Sequence, residues 1–170
     1  MGSTLFEVVS HVVHPAAQKV TFVPLVGGVG RVRMELHANS LAESLSRIYD
    51  GKFVPLHAPA RVSSRNIRDE LLKEDSLLPA IYLTQKLDIA VVGIGYPNEK
   101  SAIMATGYFK ENEIESLIDR KVAGELCMQF YDIYGDTAPY KDDNNVIGMD
   151  ISMLRSVPRS IGIAGGVEKL

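Results

Sequence analysis

Three apolar, β-branched runs in this chain each stop at glycine. Residues 19–26 (KVTFVPLV) run into Gly27-Gly28-Val29-Gly30, residues 89–92 (IAVV) into Gly93-Ile94-Gly95, and residues 160–164 (SIGIA) into Gly165-Gly166. A strand that is apolar at nearly every position is expected to be covered on both faces, the condition of a parallel sheet flanked by helices. Helical periodicity fills the gaps. Leu5, Val8, Val9, Val12 and Val13 recur at spacings of three and four until His14-Pro15, and Met34, Ala38, Leu41, Ala42, Leu45, Ile48 and Tyr49 mark four turns over residues 34–49. The alternation predicts an α/β fold with a mainly parallel sheet.

Shorter elements follow the same logic. Residues 53–56 read as a strand broken by His57-Ala58-Pro59-Ala60, because proline removes a ladder donor. Residues 65–73 carry Ile67, Leu71 and Leu72 on one side of a helix, and Ser76 is placed to cap another whose first turn accepts Pro79. Asn112 and Glu115 have the spacing of a capping box for a helix through Arg120. Residues 127–134 read as an irregular strand and residues 146–151 as a short one.

The chain of 170 residues suits one domain, and 46% hydrophobic with 23% charged residues is the composition of a globular protein. A net charge of −3 gives no basic footprint of the kind that grips nucleic acid. The single cysteine, Cys127, excludes an intrachain disulfide and reads as a buried structural residue in an apolar run. No apolar run approaches the ~20 residues of a membrane-spanning helix, and no basic leader precedes Glu7, so a cytoplasmic protein is expected. His11 and His14 lack a third ligand, and the run Asp142-Asp143-Asn144-Asn145 lacks the alternate spacing of a calcium loop. Neither predicts a metal.

At the carboxyl edge of a parallel sheet, glycine lets backbone approach a ligand, and the helix that follows offers unpaired N–H groups to an anion. The three glycine loops are candidates, and Gly2-Ser3-Thr4 ahead of the first helix is a fourth. Each alone also reads as a packing turn, and none has the G-x-G-x-x-G spacing of a dinucleotide site. Together they favour an anionic ligand.

In order along the chain stand Gly2-Ser3-Thr4-Leu5, Val23-Pro24-Leu25-Val26-Gly27-Gly28, Ala38-Asn39, Leu56-His57-Ala58-Pro59-Ala60, Val91-Val92-Gly93-Ile94-Gly95 and Thr106-Gly107-Tyr108-Phe109. Gly124-Glu125, Phe130-Tyr131-Asp132 with Gly135, Ile147-Gly148-Met149, and Ile161-Gly162-Ile163-Ala164-Gly165-Gly166 with Lys169 complete the series. This order, over nearly the whole chain, resembles the effector-binding domain of the SorC-type family of bacterial sugar-sensing transcriptional regulators. The resemblance implies a three-layer α/β sandwich similar to the phosphosugar isomerase and CoA-transferase fold. It also implies a ligand, a phosphorylated sugar or related metabolite, whose binding is signalled to a separate helix-turn-helix domain on operator DNA. Carried over by position, Gly2, Ser3 and Thr4 hold the phosphate, with Lys169 as counter-charge. Gly27 and Gly28 border the ligand, His37 faces it, and Glu125 accepts hydrogen bonds from sugar hydroxyls.

The same resemblance implies a homo-oligomer, dimer or tetramer, with no catalytic residues, no cofactor and no membrane partner. Val26 stands where some relatives carry an arginine, which favours a monophosphate over a bisphosphate. The strand before Gly-Ser-Thr, the DNA-binding domain, and the helix and strand after the final glycines are not in this sequence, so residues 1–170 read as an effector-binding domain truncated at both ends, with a partly open site. On residues alone, His37 also reads as a half-buried histidine satisfied by backbone and Glu125 as a surface carboxylate. The rival from another class is a sugar-phosphate isomerase or deaminase with Glu125 or Asp132 as base; no spaced Asp/His pair supplies its second acid.

Overall fold

The structure, a computed structural model, describes residues 2–13, 19–30, 32–98 and 101–165. In chain order the elements are α1 (Ser3–Ser10), β1 (Thr21–Phe22), α2 (Ala38–Ile48), β2 (Lys52–Phe53), α3 (Arg65–Leu71), α4 (Leu78–Thr84), β3 (Ile89–Gly93), α5 (Ala102–Ala105), α6 (Glu111–Asp119), β4 (Gly124–Leu126), β5 (Gln129–Tyr131) and β6 (Arg159–Ile163). Short 3₁₀ helices occupy Met34–Leu36, Ala138–Asp143 and Ile151–Ser156. β1 pairs with β2 and β3 with β6, both parallel, whereas β4 and β5 form an antiparallel hairpin. The α/β class with parallel pairing is therefore as expected.

Several elements are shorter than the periodicity predicts, because the chain leaves regular structure to make loop contacts. The run at 19–26 is a strand only at Thr21–Phe22, then reappears as a single antiparallel bridge between Val26 and Gly148. The helical pattern at 34–49 breaks at His37, whose extended backbone (φ −68°, ψ 145°) separates a 3₁₀ turn from α2. Ser76 does not cap α4; Leu77 holds that position without a side-chain bond, although Pro79 does lie in the first turn. The capping predicted from Asn112 and Glu115 falls two residues earlier: the Glu113 carboxylate accepts the Lys110 amide at 2.9 Å. Ile151 begins a 3₁₀ helix rather than ending a strand.

Residues 127–134 also differ from expectation. Cys127 (φ 51°) and Met128 (φ 65°) are the two left-handed residues of a hairpin turn between β4 and β5, a place usually given to Asn-Gly. A left-handed non-glycine residue costs about 1 kcal/mol. Burial of Met128, 2% exposed, and its contacts in the main core offset that cost. Cys127 packs half-buried against the same core, and burial pushes its thiol up to about 11.

Two apolar clusters hold the elements. The larger joins Val26, Val29, Ala60, Phe109, Ile114, Leu117, Met128, Phe130, Tyr140 and Val146, and the smaller gathers Leu56, Leu77, Ala80 and Ile147. Arg61 fastens α6 to the first: its guanidinium donates to the Tyr108 carbonyl at 2.6 Å, pairs with Glu113 at 3.2 Å and lies 4.2 Å from the Phe109 ring centre. Gln129, buried, ties the hairpin to the later chain by donating to the Met149 carbonyl at 2.7 Å and accepting from Ile151 and Asn144. The expectation of cover on both strand faces holds only in part. β3 buries Ala90 and Val92, while Ile89 and Val91, level with exposed Ile161 on β6, form an open apolar face among the described residues.

Candidate functional site

At Gly27-Gly28 the chain is knotted into its own neighbours. Gly27 donates to the Ile147 carbonyl at 2.9 Å, Gly28 to Ala58 at 2.8 Å, Ala60 back to Gly28 at 2.7 Å, and Ile147 to Ala60 at 2.9 Å. A methyl on Gly27 would stand 2.5 Å from the Ala58 oxygen and 2.6 Å from that of Pro59, so only glycine fits. Asn39 steadies this junction from α2: its side-chain amide donates to the Leu56 carbonyl at 3.1 Å and its oxygen accepts the Leu56 amide at 3.0 Å. Both glycine amides are thus spent on protein; Gly27 is buried and Gly28 keeps partial exposure.

The start of α1 is different. Gly2 donates to Leu36 at 3.2 Å and Phe6 makes the first intrahelical bond, to Gly2, at 3.1 Å. Among the described residues nothing accepts from the amides of Ser3, Thr4 and Leu5. Gly2 occupies the cap position at φ 113°, a conformation that favours glycine, and it offers no side chain to cap the helix. No acidic residue lies in the first turn to neutralise the positive end of the helix dipole. Three unpaired donors, an uncompensated dipole and two adjacent hydroxyls give this terminus the chemistry that suits an anion.

Gly165, just past the end of β6, lies beside it. α1 packs against β3, the 34–36 turn and α2. Beyond the paired strands, Ile94 still donates to the Ile163 carbonyl at 2.8 Å, and a methyl on Gly165 would stand 3.8 Å from Thr4 Cγ2 and 3.9 Å from its hydroxyl oxygen. His37 follows Leu36, the acceptor of the Gly2 amide; it is half-buried and donates from Nε2 to the Val32 carbonyl at 3.0 Å. The backbone satisfaction weighed for this histidine is therefore present at one ring nitrogen. Glu125 stands on β4 across an antiparallel bridge from Gly95, half-buried, with Oε2 accepting the Met128 amide at 2.9 Å.

The structure thus brings Gly2, Ser3 and Thr4 together with Gly165 and sets His37 one residue from Leu36. Glu125, on β4, pairs with Gly95 two residues past the end of β3. Gly27 and Gly28 belong to the separate junction with residues 58–60 and 146–148, and no hydrogen bond joins them to the α1 start among the described residues. Lys169 lies outside the described residues. Sequence reasoning missed Asn39 as the clamp and Gly95 as the seat of Glu125; the signal for the latter was the second glycine of Gly93-Ile94-Gly95, where one would end a strand. No group of three His, Cys, Asp or Glu that could hold a metal occurs among the described residues. No helix there is long and apolar enough to cross a membrane. A cavity of about 20 Å³ lined by Gln129, Phe130, Tyr140 and Asn144 has room for one water and not for a sugar.

An α/β scaffold with an open helix N-terminus beside the glycine that follows a parallel strand is the arrangement of a small-ligand-binding module. The family comparison agrees: residues 1–170 match the model described as "putative sugar-binding domain", and the chain belongs to that family. It is 28% identical over 154 residues to the sorbitol operon regulator of Klebsiella pneumoniae, covering 90% of this chain and 49% of that protein. It is 30% identical over 157 residues to the transcriptional regulator LsrR of Enterobacter sp. (strain 638), covering 91% and 46%. The crystal structure of a probable sor operon regulator from Shigella flexneri superposes with a TM-score of 0.88 at 27% identity, over 99% of this chain and 66% of that one. The chain spans about half the length of the curated relatives it matches. These relatives are named as transcriptional regulators, and the isomerase or deaminase reading finds no support among them.

Proposed function

We propose that this chain is the ligand-sensing part of a longer bacterial transcriptional regulator, and that its ligand is a phosphorylated sugar or related metabolite. The observation that carries the reading is the run of three unpaired amides, Ser3, Thr4 and Leu5, at an α1 terminus flanked by Gly165. A phosphate there takes the amides and the Ser3 and Thr4 hydroxyls, with Lys169 as counter-charge. His37 faces the ligand, Gly27 and Gly28 border it, and Glu125 accepts from the sugar hydroxyls, as a carboxylate with two oxygens can from two neighbouring groups.

In the intact regulator, a cytoplasmic homo-oligomer of two or four subunits, ligand binding changes subunit packing and so the operator affinity of a helix-turn-helix domain. Such coupling is worth ~1 to 3 kcal/mol. The architecture is read as a three-layer sandwich similar to phosphosugar isomerases and CoA-transferases. The test is calorimetric titration with sorbitol 6-phosphate, D-ribose 5-phosphate and 2-deoxy-D-ribose 5-phosphate against inorganic phosphate. At least one sugar phosphate is expected to bind more tightly than inorganic phosphate; turnover of any of them would favour an enzyme instead.

A further inference from the structure

Gly95 and Glu125 exchange both backbone hydrogen bonds of an isolated antiparallel bridge, Gly95 N to Glu125 O at 2.9 Å and Glu125 N to Gly95 O at 2.8 Å. Residues paired in this way project to the same face of the sheet. A methyl on Gly95 would overlap Glu125 Oε1 and come within 2.8 Å of its Cγ and Cδ. The carboxylate therefore lies over Gly95, in the space a side chain would fill. Its other oxygen, Oε2, accepts the amide of Met128, the second left-handed residue of the β4–β5 turn. Glu125 is held from both sides, by a missing side chain beneath it and by a backbone amide at its tip.

We propose that Gly95 is a positioning residue for ligand recognition: by leaving its side-chain space to Glu125, it fixes the carboxylate where a polyhydroxyl group can be bound. This rests on the reading of Glu125 as the acceptor for sugar hydroxyls. Gly95 acts through Glu125 alone, so it sets the gain in affinity that a sugar adds to a phosphate and leaves the phosphate end at α1 unaffected. The arrangement also gives the left-handed Cys127-Met128 turn a role, since that conformation aims the Met128 amide at the carboxylate.

The test is Gly95→Ala. The overlap falls on the far end of a flexible side chain rather than on backbone, so the fold persists with Glu125 swung aside. Hydrogen exchange at the Met128 amide is expected to rise about 10-fold as its acceptor leaves. Affinity for sorbitol 6-phosphate or D-ribose 5-phosphate, whichever the unaltered protein binds more tightly, falls about 10-fold toward that of inorganic phosphate, whose own affinity is unchanged. Glu125→Gln, which keeps an oxygen for the Met128 amide, should lose the same affinity with Met128 still protected. Three results overturn the proposal: an unchanged Met128 exchange rate in Gly95→Ala, a released Met128 amide with unchanged sugar-phosphate affinity, or loss of the fold. If the unaltered protein binds neither sugar phosphate better than inorganic phosphate, the sugar reading itself fails. The Met128 exchange rate then still reports on the clamp.

Discussion

The Gly27-Gly28 junction and the α1 start look alike in sequence and differ in where their amides go. At the junction three chain segments meet, and the Gly27, Gly28, Ala60 and Ile147 amides all find carbonyl partners within 2.9 Å. At the α1 start three successive amides find none among the described residues. Buried N–H groups need partners, so at the junction glycine serves packing, whereas the first amides of a helix have no intrahelical partner and those of α1 stay available to an acceptor. Glycine after a strand is the shared signature of both. The hydrogen-bond ledger separates them.

Substitutions should separate them too. The largest effect is expected from Gly27→Ala, whose methyl would meet two backbone oxygens that cannot swing aside; a loss of about 3 kcal/mol in urea unfolding is predicted. Gly28→Ala is the control, with 3.8 Å of room to the Ala58 oxygen, and should cost under about 1 kcal/mol. Next comes Asn39→Ala, which leaves the Leu56 amide without its acceptor while the Leu56 carbonyl keeps the Ala58 amide at 3.0 Å, and should cost about 2 kcal/mol in the same assay without touching the α1 terminus. Equal losses for Gly27→Ala and Gly28→Ala would show that the junction is not sterically set.

The α1 start should respond in the opposite sense. Ser3→Asp places a negative charge in the first turn, which favours the helix dipole by about 0.5 kcal/mol and repels an anionic ligand. The expected outcome is a small rise in thermal midpoint together with at least a ~10-fold loss of phosphate affinity by titration. Stability and binding moving together would contradict an anion site at this terminus.

The smallest effect concerns Cys127. Its thiol is raised from 9.0 to about 11 by burial, so at pH 7 alkylation by iodoacetamide should be slow and should climb only as pH approaches 11. The folded state holds this proton more tightly than the unfolded chain, so the contribution is complete below pH 9 and is lost as pH rises toward 11. Fast alkylation at neutral pH would mean that the hairpin turn opens readily.

Much of the fold was legible in the sequence, for reasons visible in single residues. The period of Ala38, Leu41, Ala42 and Leu45 gave α2, and the apolar run at 89–92 gave β3, because burial of one face dictates both patterns. The break at His37, the hairpin turn at Cys127-Met128 and the cap at Lys110 were not legible. Each is fixed by a short-range hydrogen bond between side chain and backbone, His37 to the Val32 carbonyl, the Met128 amide to Glu125 and the Lys110 amide to Glu113, which hydrophobic periodicity does not register. The candidate site divides in the same way. Gly2-Ser3-Thr4 before an amphipathic run announces a helix start. That its amides stay open while those of Gly27-Gly28 are taken depends on which carbonyls the fold brings near.

The central claim is that the open amides of α1 receive the ligand phosphate. Amide chemical shifts followed while D-ribose 5-phosphate, sorbitol 6-phosphate and inorganic phosphate are titrated in turn test it most directly. The account predicts that Ser3, Thr4 and Leu5 move furthest, that inorganic phosphate alone moves them, and that Ser3→Asp abolishes the response. Shifts centred on Gly27 and Gly28 with the α1 amides unmoved would contradict it.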